Sequence, residues 1–241
     1  MRKLRDDQVE AFDREYVDAD RFVAICERID ADFPDGKFSF LDVGGGNGRF
    51  SDQLLSRYPG ARGTVLDNSE VLLERNEPHV RKTVRLGSVE DLDAFEEKFD
   101  LLSLHWLLHH LVGDSYAETR SNQRSALHSV GRLLTDRGRV SVFENDYHGW
   151  LPDPLPTYII YTVTASKALA PLARTLGANT AGVGVCFNSF QGWRAMIEHS
   201  GLRLLHHAEP DTWLRRLPWY AKAAIGLRQV RVGHYWLCRS S

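Results

Sequence analysis

The chain has 241 residues, 43% of them apolar, and its 30 basic and 32 acidic side chains leave a formal charge of −2. That length suits one α/β domain with a full core, and the interspersed, nearly balanced charge argues against a nucleic-acid partner, which calls for a basic stripe. No apolar run approaches the ~18 residues that cross a bilayer, and the start lacks the apolar region of a secretory signal. The widely separated Cys26, Cys186 and Cys238 form no CxxC pair or Cys/His cluster. The expectation is a cytoplasmic protein with no membrane partner, disulfide framework, structural zinc or iron–sulfur cluster.

Asp7 followed by Glu10 fits a capping box, and Val9, Phe12 and Tyr16 recur behind it at helical spacing. A second helix places Phe22, Ile25, Cys26 and Ile29 on one face and ends at Pro34-Asp35-Gly36. Strands then alternate with helices: strands at 38–43, 63–67, 83–86, 99–105 and 139–144, helices at 49–57, 70–76, 90–96 and 115–134. This repeat predicts a parallel sheet covered by helices on both faces. From Tyr147 the rhythm breaks at Pro152, Pro154 and Pro156, and an apolar helix follows at 157–174. A Gly-rich loop at 177–184 leads to a helix closed by Gly201, a strand at 203–207, a helix at 212–227 and a last strand at 232–238. We read one domain: a helical cap over 1–36, a core over 37–146, a lid insertion over 147–188 and a return to the core over 189–241.

The segment Leu41-Asp42-Val43-Gly44-Gly45-Gly46-Asn47-Gly48-Arg49 runs from a strand through alternating glycines into a helix. Glycines there let a ligand approach the backbone at the carboxyl edge of the sheet. The dinucleotide pattern G-x-G-x-x-G/A fails, because Arg49 stands where a small residue must let helix and strand pack. Asp42 stands two residues before Gly44, where a carboxylate suits a cationic amino group and repels a pyrophosphate.

On these residues the loop Asp42–Gly48 resembles motif I of the class I S-adenosylmethionine (SAM) dependent methyltransferases, and later segments follow in that family's order. The resemblance implies a Rossmann-like, mostly parallel sheet of seven strands, and SAM as methyl donor, with S-adenosylhomocysteine (SAH) as product. It implies that Asp42, Gly44, Gly46 and Gly48 cradle the cofactor and that Asp67, with Asn68 beside it, holds the ribose hydroxyls. Ser88 and Val89 resemble the loop flanking the adenine, although the family commonly has an acid at Ser88, and a helix N-cap explains that serine equally well. His105, at the end of the fourth strand, falls beside the methionine part.

Methyl transfer needs an aligned nucleophile, water exclusion and, for a protonated nucleophile, a base worth roughly 10²–10⁴ in rate. His148, after the fifth strand, is the modest favourite as base; His109, His110 and Tyr147 are the other catalytic candidates, the two histidines being more easily read as braces of the turn. The fourth strand ends in Leu104-His105-Trp106 without an acid, which disfavours a metal at the reacting centre. Tyr16, Trp106 and Tyr158 are candidate substrate contacts in an apolar pocket. The expected reaction is methylation of a hydroxyl, amine or carbon of a small metabolite, hydroxyl slightly favoured, by a monomer or homodimer. A SAM-binding protein that does not methylate and an NAD(P)-dependent oxidoreductase are the alternatives.

Overall fold

The computed structural model describes residues 1–2, 18–150, 154–175, 178–215 and 218–240. β1 (Ser39–Val43) is buried along its length, as a parallel strand covered on both faces must be. It pairs in parallel with β2 (Arg62–Asp67) and β4 (Phe99–His105), and β3 (Lys82–Leu86) and β5 (Leu134–Gly149) extend the parallel ladder outward. β8 (Leu227–Arg239) adds antiparallel to β5, and β6 (Leu202–Ala208) antiparallel to β8, giving the order β3-β2-β1-β4-β5-β8-β6. The two-residue β7 (Leu214–Arg215) clips onto β8 outside that order. The expected mostly parallel, seven-stranded sheet is therefore present, with β7 as an addition.

Successive strand residues point to opposite faces, so one sheet supports two cores. On one face Phe40, Leu101, Phe143 and Trp236 pack with Ile25 and Ile29 of α1 (Ala19–Asp32) and Leu54 and Leu55 of α2 (Arg49–Arg57). On the other, Leu41, Leu102 and Val142 meet Leu127 and Val130 of α4 (Tyr116–Arg132) and Trp193 and Met196 of α7 (Phe190–His199). Each such buried side chain contributes roughly 1.5–3 kcal/mol. Side-chain caps fix the helix starts: Asp18 accepts from the Arg21 N–H, Ser115 from Glu118 and Ser189 from Gly192. Ser69 does the same for the short α3 (Glu70–Leu73).

The helix expected at 70–76 ends at Leu73 and the strand expected at 232–238 starts at Leu227, and four further elements differ from the sequence expectation. The helix at 90–96 is a 3-10 turn, Val89–Ala94, closed by a capping box between Ser88 and Asp91. β5 runs well past residue 144, because β8 supplies ladder partners from Val140 to Gly149. The apolar helix at 157–174 is two, α5 (Leu155–Ala165) and α6 (Ala170–Thr175), with Ser166 accepting from the Leu169 N–H at the break. The helix at 212–227 gives way to the turn Asp211–Trp213, β7 and α8 (Trp219–Ala224), because buried Trp213 anchors the turn and Pro218 restarts the chain as a helix. The capping box at Asp7, with Phe12 and Tyr16, lies outside the described residues. Among the described residues no helix is long and apolar enough to cross a membrane.

Candidate functional site

A cavity of about 880 Å³ opens where β1, β2, β4 and β5 end, the edge at which open α/β sheets bind ligands. Its floor is the glycine loop. Gly44 donates to the Leu66 carbonyl at 2.7 Å and holds φ at 74°, with Leu107 so close that a Cβ would sit 3.0 Å from it. Gly48 opens α2 at φ 75°, and a Cβ there would fall 1.9 Å from Asn76 Oδ1. Asn76 is needed where it is: its Nδ2 donates to the Gly46 carbonyl at 2.9 Å, tying the loop to the turn after α3.

Two buried carboxylates hold this loop in shape. Asp67, ending β2, accepts from the Gly46 N–H at 2.9 Å and the Ser69 N–H at 2.8 Å. Asp42 accepts from the hydroxyls of Ser103 at 2.8 Å and Ser51 at 2.9 Å. Burial raises both above the ordinary carboxylate range, Asp42 to about 6, and the charge of Asp67 adds to that push. Both line the cavity. A pair of desolvated acids makes its floor favourable to a cationic ligand and unfavourable to a phosphate.

The middle of the cavity is the end of β4. His105 is buried, its Nε2 3.1 Å from Ser141 Oγ and its ring edge-on to Phe50 and Phe143. Burial lowers its pKa to about 3, so it stays neutral. Trp106 turns the chain with φ at 52°, a left-handed conformation costly for a bulky residue. Its ring stacks on Phe143 at 5.4 Å, and the Arg21 guanidinium lies 5.2 Å over it.

Beyond Trp106 the turn Leu108–His110 presents both histidines to the cavity. Glu144, fully buried on β5, faces the His109 Nδ1 at 2.7 Å through Oε2 and accepts the His109 backbone N–H at 3.2 Å through Oε1. Burial pushes Glu144 up to about 8. The His109 ring stacks on Phe187 at 4.5 Å, and Gln123 staples the turn by donating to the carbonyls of Leu108 and Cys186. Burial and the neighbouring His109 hold the His110 pKa well below its ordinary value. Tyr147 stacks on the other part of this wall, 4.4 Å from Phe187. Ile159, Ile160 and Val163 of α5, with Tyr220 and Ile225 around α8, give the far wall its apolar character.

The structure thus brings Asp42, Gly44, Gly46, Asp67, Asn68, Ser88, Val89, His105, Trp106, His109, His110 and Tyr147 to one cavity. Gly48 shapes the loop from behind. The Ser88 hydroxyl takes part in the capping box, accepting from the Glu90 N–H and donating to Asp91. His148 does not line the cavity: β5 continues through it, alternation turns it away from the side of Tyr147, and its Nε2 meets Glu209 at 3.2 Å. Tyr158 is 52% exposed on α5 and packs edge-on against Tyr116, away from the cavity. Tyr16 lies outside the described residues. Sequence reasoning missed Asn76, Ser51, Ser103 and Asn145; Asn145 lines the cavity between Glu144 and Tyr147. Nothing local marks Asn76 and Ser103, which act on residues 30 and 61 positions away.

A family model described as a methyltransferase domain matches residues 41–140, from the strand that enters the glycine loop into β5. The demethylmenaquinone methyltransferase of Chlamydia felis (strain Fe/C-56) is 28% identical over 107 residues, a stretch that covers 43% of each chain. The match therefore takes in less than half of that relative. The mitomycin 7-O-methyltransferase MmcR superposes with a TM-score of 0.54 at 18% identity, over 90% of this chain and 54% of that one. CalO1, a methyltransferase of calicheamicin biosynthesis in its SAH-bound form, superposes at 0.52 and 18% identity, over 98% of this chain and 59% of that one. This chain spans little more than half of each, and at such identity the likeness is one of fold.

Proposed function

We propose that this chain, whose residues 41–140 match a methyltransferase-domain model, transfers the methyl group of SAM to a hydroxyl of a small, largely apolar metabolite, with His109 as the base. The residues present fit the cofactor. The loop from Gly44 to Gly48 leaves space that side chains would fill, and Asp42 and Asp67 put two carboxylates beside a ligand that carries an ammonium and a sulfonium. Asp67 Oδ1 accepts the Ser69 N–H and Oδ2 the Gly46 N–H, and a carboxylate, with about four acceptor sites, can also take ribose hydroxyls. Asn68 and Val89 flank that position, and neutral His105 borders the reacting end without adding a repelling positive charge.

The observation that carries the reading is the buried Glu144–His109 pair on the wall opposite the loop. When bound, SAM supplies a methyl carbon already activated by its cationic sulfur. The chain's task is then to orient the acceptor, exclude water and take one proton. Once ionised, toward pH 8, Glu144 accepts the His109 Nδ1–H and leaves Nε2 as the basic nitrogen. The chain's own part in that transfer would be proton removal: the acceptor's hydroxyl proton would pass to that nitrogen of His109. Phe187 and His110 fix the imidazole plane, and α5 and α8 supply an apolar wall for the acceptor's body.

Side-by-side calorimetric titrations with SAM, SAH and NADH test the cofactor. Binding of SAM and SAH without NADH is expected, and binding of NADH alone would overturn the reading. SAH release with a panel of phenols and aliphatic alcohols then tests the acceptor class. If only amines or carbon acids turn over, the hydroxyl assignment fails while the cofactor assignment stands.

A further inference from the structure

Behind the cavity wall lies a group of chemically able side chains that the methyl transfer does not use. Asp146 and His148 follow each other on the face of β5 turned away from Tyr147; His207 is the next-to-last residue of β6, and Glu209 comes just after that strand. One ligand atom each from Asp146, His207 and Glu209 lie within 4.8 Å of one another. The Asp146 side chain is 0% exposed. Its Oδ1 is satisfied by the Tyr235 hydroxyl at 2.5 Å. Its Oδ2 points at His207 Nε2 across 3.5 Å, and both atoms are buried without a hydrogen-bond partner. A histidine–carboxylate pair left to itself closes to about 2.7–2.9 Å; this one stands open.

The space between them is held by Gly233 on β8. A Cβ at that position would come 2.2 Å from Asp146 Oδ2 and 3.0 Å from His207 Nε2, so a side chain there would fill the gap. Glu209 brings a second carboxylate to the gap, and its Oε1 is aimed by the His148 Nε2 at 3.2 Å. Arg231 lies 3.5 Å from the other Glu209 oxygen and offsets part of that second charge from outside. Two carboxylates and an imidazole converging on an open, partly buried gap form a donor set suited to a divalent ion of the zinc kind.

We propose that Asp146 Oδ2, His207 Nε2 and a Glu209 carboxylate oxygen bind one Zn²⁺-class ion that pins β5 to β6 across β8. The Asp146–His207 separation already matches the roughly 3.3–3.5 Å between ligands of a tetrahedral zinc. Only Glu209, a long side chain beyond the end of its strand, has to close. His148 orients Glu209 by its hydrogen bond, as outer partners of metal ligands do. The ion would be structural: none of these residues lines the cavity, but Asp146 sits between Asn145 and Tyr147, which do. The site is independent of the methyl-transfer reading.

The test is calorimetric titration of chelator-treated full chain with ZnCl2, together with the visible spectrum of the Co²⁺-loaded protein. One Zn²⁺ per chain and a tetrahedral Co²⁺ spectrum are expected. Asp146→Asn and His207→Ala should weaken zinc binding at least about tenfold, while His128→Ala, an exposed histidine elsewhere, should leave it unchanged. Glu209→Gln, at a partly exposed site, serves if the buried variants fail to fold. No zinc binding by the folded wild-type chain, or binding that survives undiminished in Glu209→Gln, overturns the proposal. The melting temperature of the wild-type chain should also rise with added Zn²⁺.

Discussion

Glu144 grips His109 at two points, the backbone N–H through Oε1 at 3.2 Å and the ring Nδ1 through Oε2 at 2.7 Å. The two residues lie 35 positions apart and meet because β4 and β5 are parallel neighbours, so the turn after one strand lies over the end of the other. A fully buried carboxyl used in this way sets the place of the imidazole and, when ionised, its tautomer.

Replacing His109 separates chemistry from binding. His109→Ala should lower kcat roughly 10²–10⁴-fold and leave the SAM dissociation constant within a factor of about two, since the proposed cofactor contacts lie on the loop side. Single-turnover SAH formation and calorimetry on the same preparation measure the two quantities. Undiminished turnover would remove His109 as the base.

In the proposed reaction Glu144 positions His109, and its variant has a distinct signature. In Glu144→Gln the amide can still accept the His109 N–H, but its NH2 then faces Nδ1 and demands the opposite tautomer. The loss should appear in kcat, about tenfold or more, with KM for the acceptor little altered. A variant that loses acceptor affinity and retains kcat would show that Glu144 only shapes the pocket.

Asp67 joins the loop to β2 and faces the cavity, so Asp67→Ala should weaken SAM binding by about tenfold or more, the value of one or two charge-assisted bonds. Circular dichroism should show the fold intact. Calorimetry showing parental affinity would remove Asp67 from the ribose position.

Asp42 makes stability depend on pH. Its pKa rises from 3.8 to about 6 on burial. Between those values the folded chain keeps a proton that the unfolded chain has released, so this residue's contribution to stability falls as pH rises. Asp42→Asn removes that loss. From about pH 4 to pH 7 the variant should lose less stability than the parent, by on the order of 3 kcal/mol. Urea unfolding at both pH values checks the difference, and parallel curves would contradict it.

Gly48 and Gly201 share a φ of +75°, but a Cβ at Gly48 strikes Asn76 whereas one at Gly201 meets nothing within 4 Å. Gly201→Ala should cost only the left-handed strain of roughly 1–2 kcal/mol. Gly48→Ala should cost roughly 1–3 kcal/mol more and should also weaken SAM binding, because Asn76 must release the Gly46 carbonyl. Equal urea midpoints for the two variants would show that Asn76 moves aside freely.

What the sequence by itself determined is what adjacency along the chain encodes. Strand, glycines and helix follow one another from Leu41 to Arg57, so the cradle was legible, as were Asp67 at a strand end and the alternation that makes a covered parallel sheet. The histidine turn was legible as a candidate but not as a pair, because Glu144 becomes the partner of His109 only when β4 and β5 align. His148 shows the opposite error. Read as a loop residue after a strand ending near 144, it belonged at the mouth; in the fold β8 extends β5 to Gly149, and a period of two sends Asn145 and Tyr147 to the cavity and Asp146 and His148 behind it. The same long-range pairing brings His207 and Glu209 to Asp146. Local sequence sets which backbone forms, whereas the face on which a side chain lands depends on strand register, which distant partners decide.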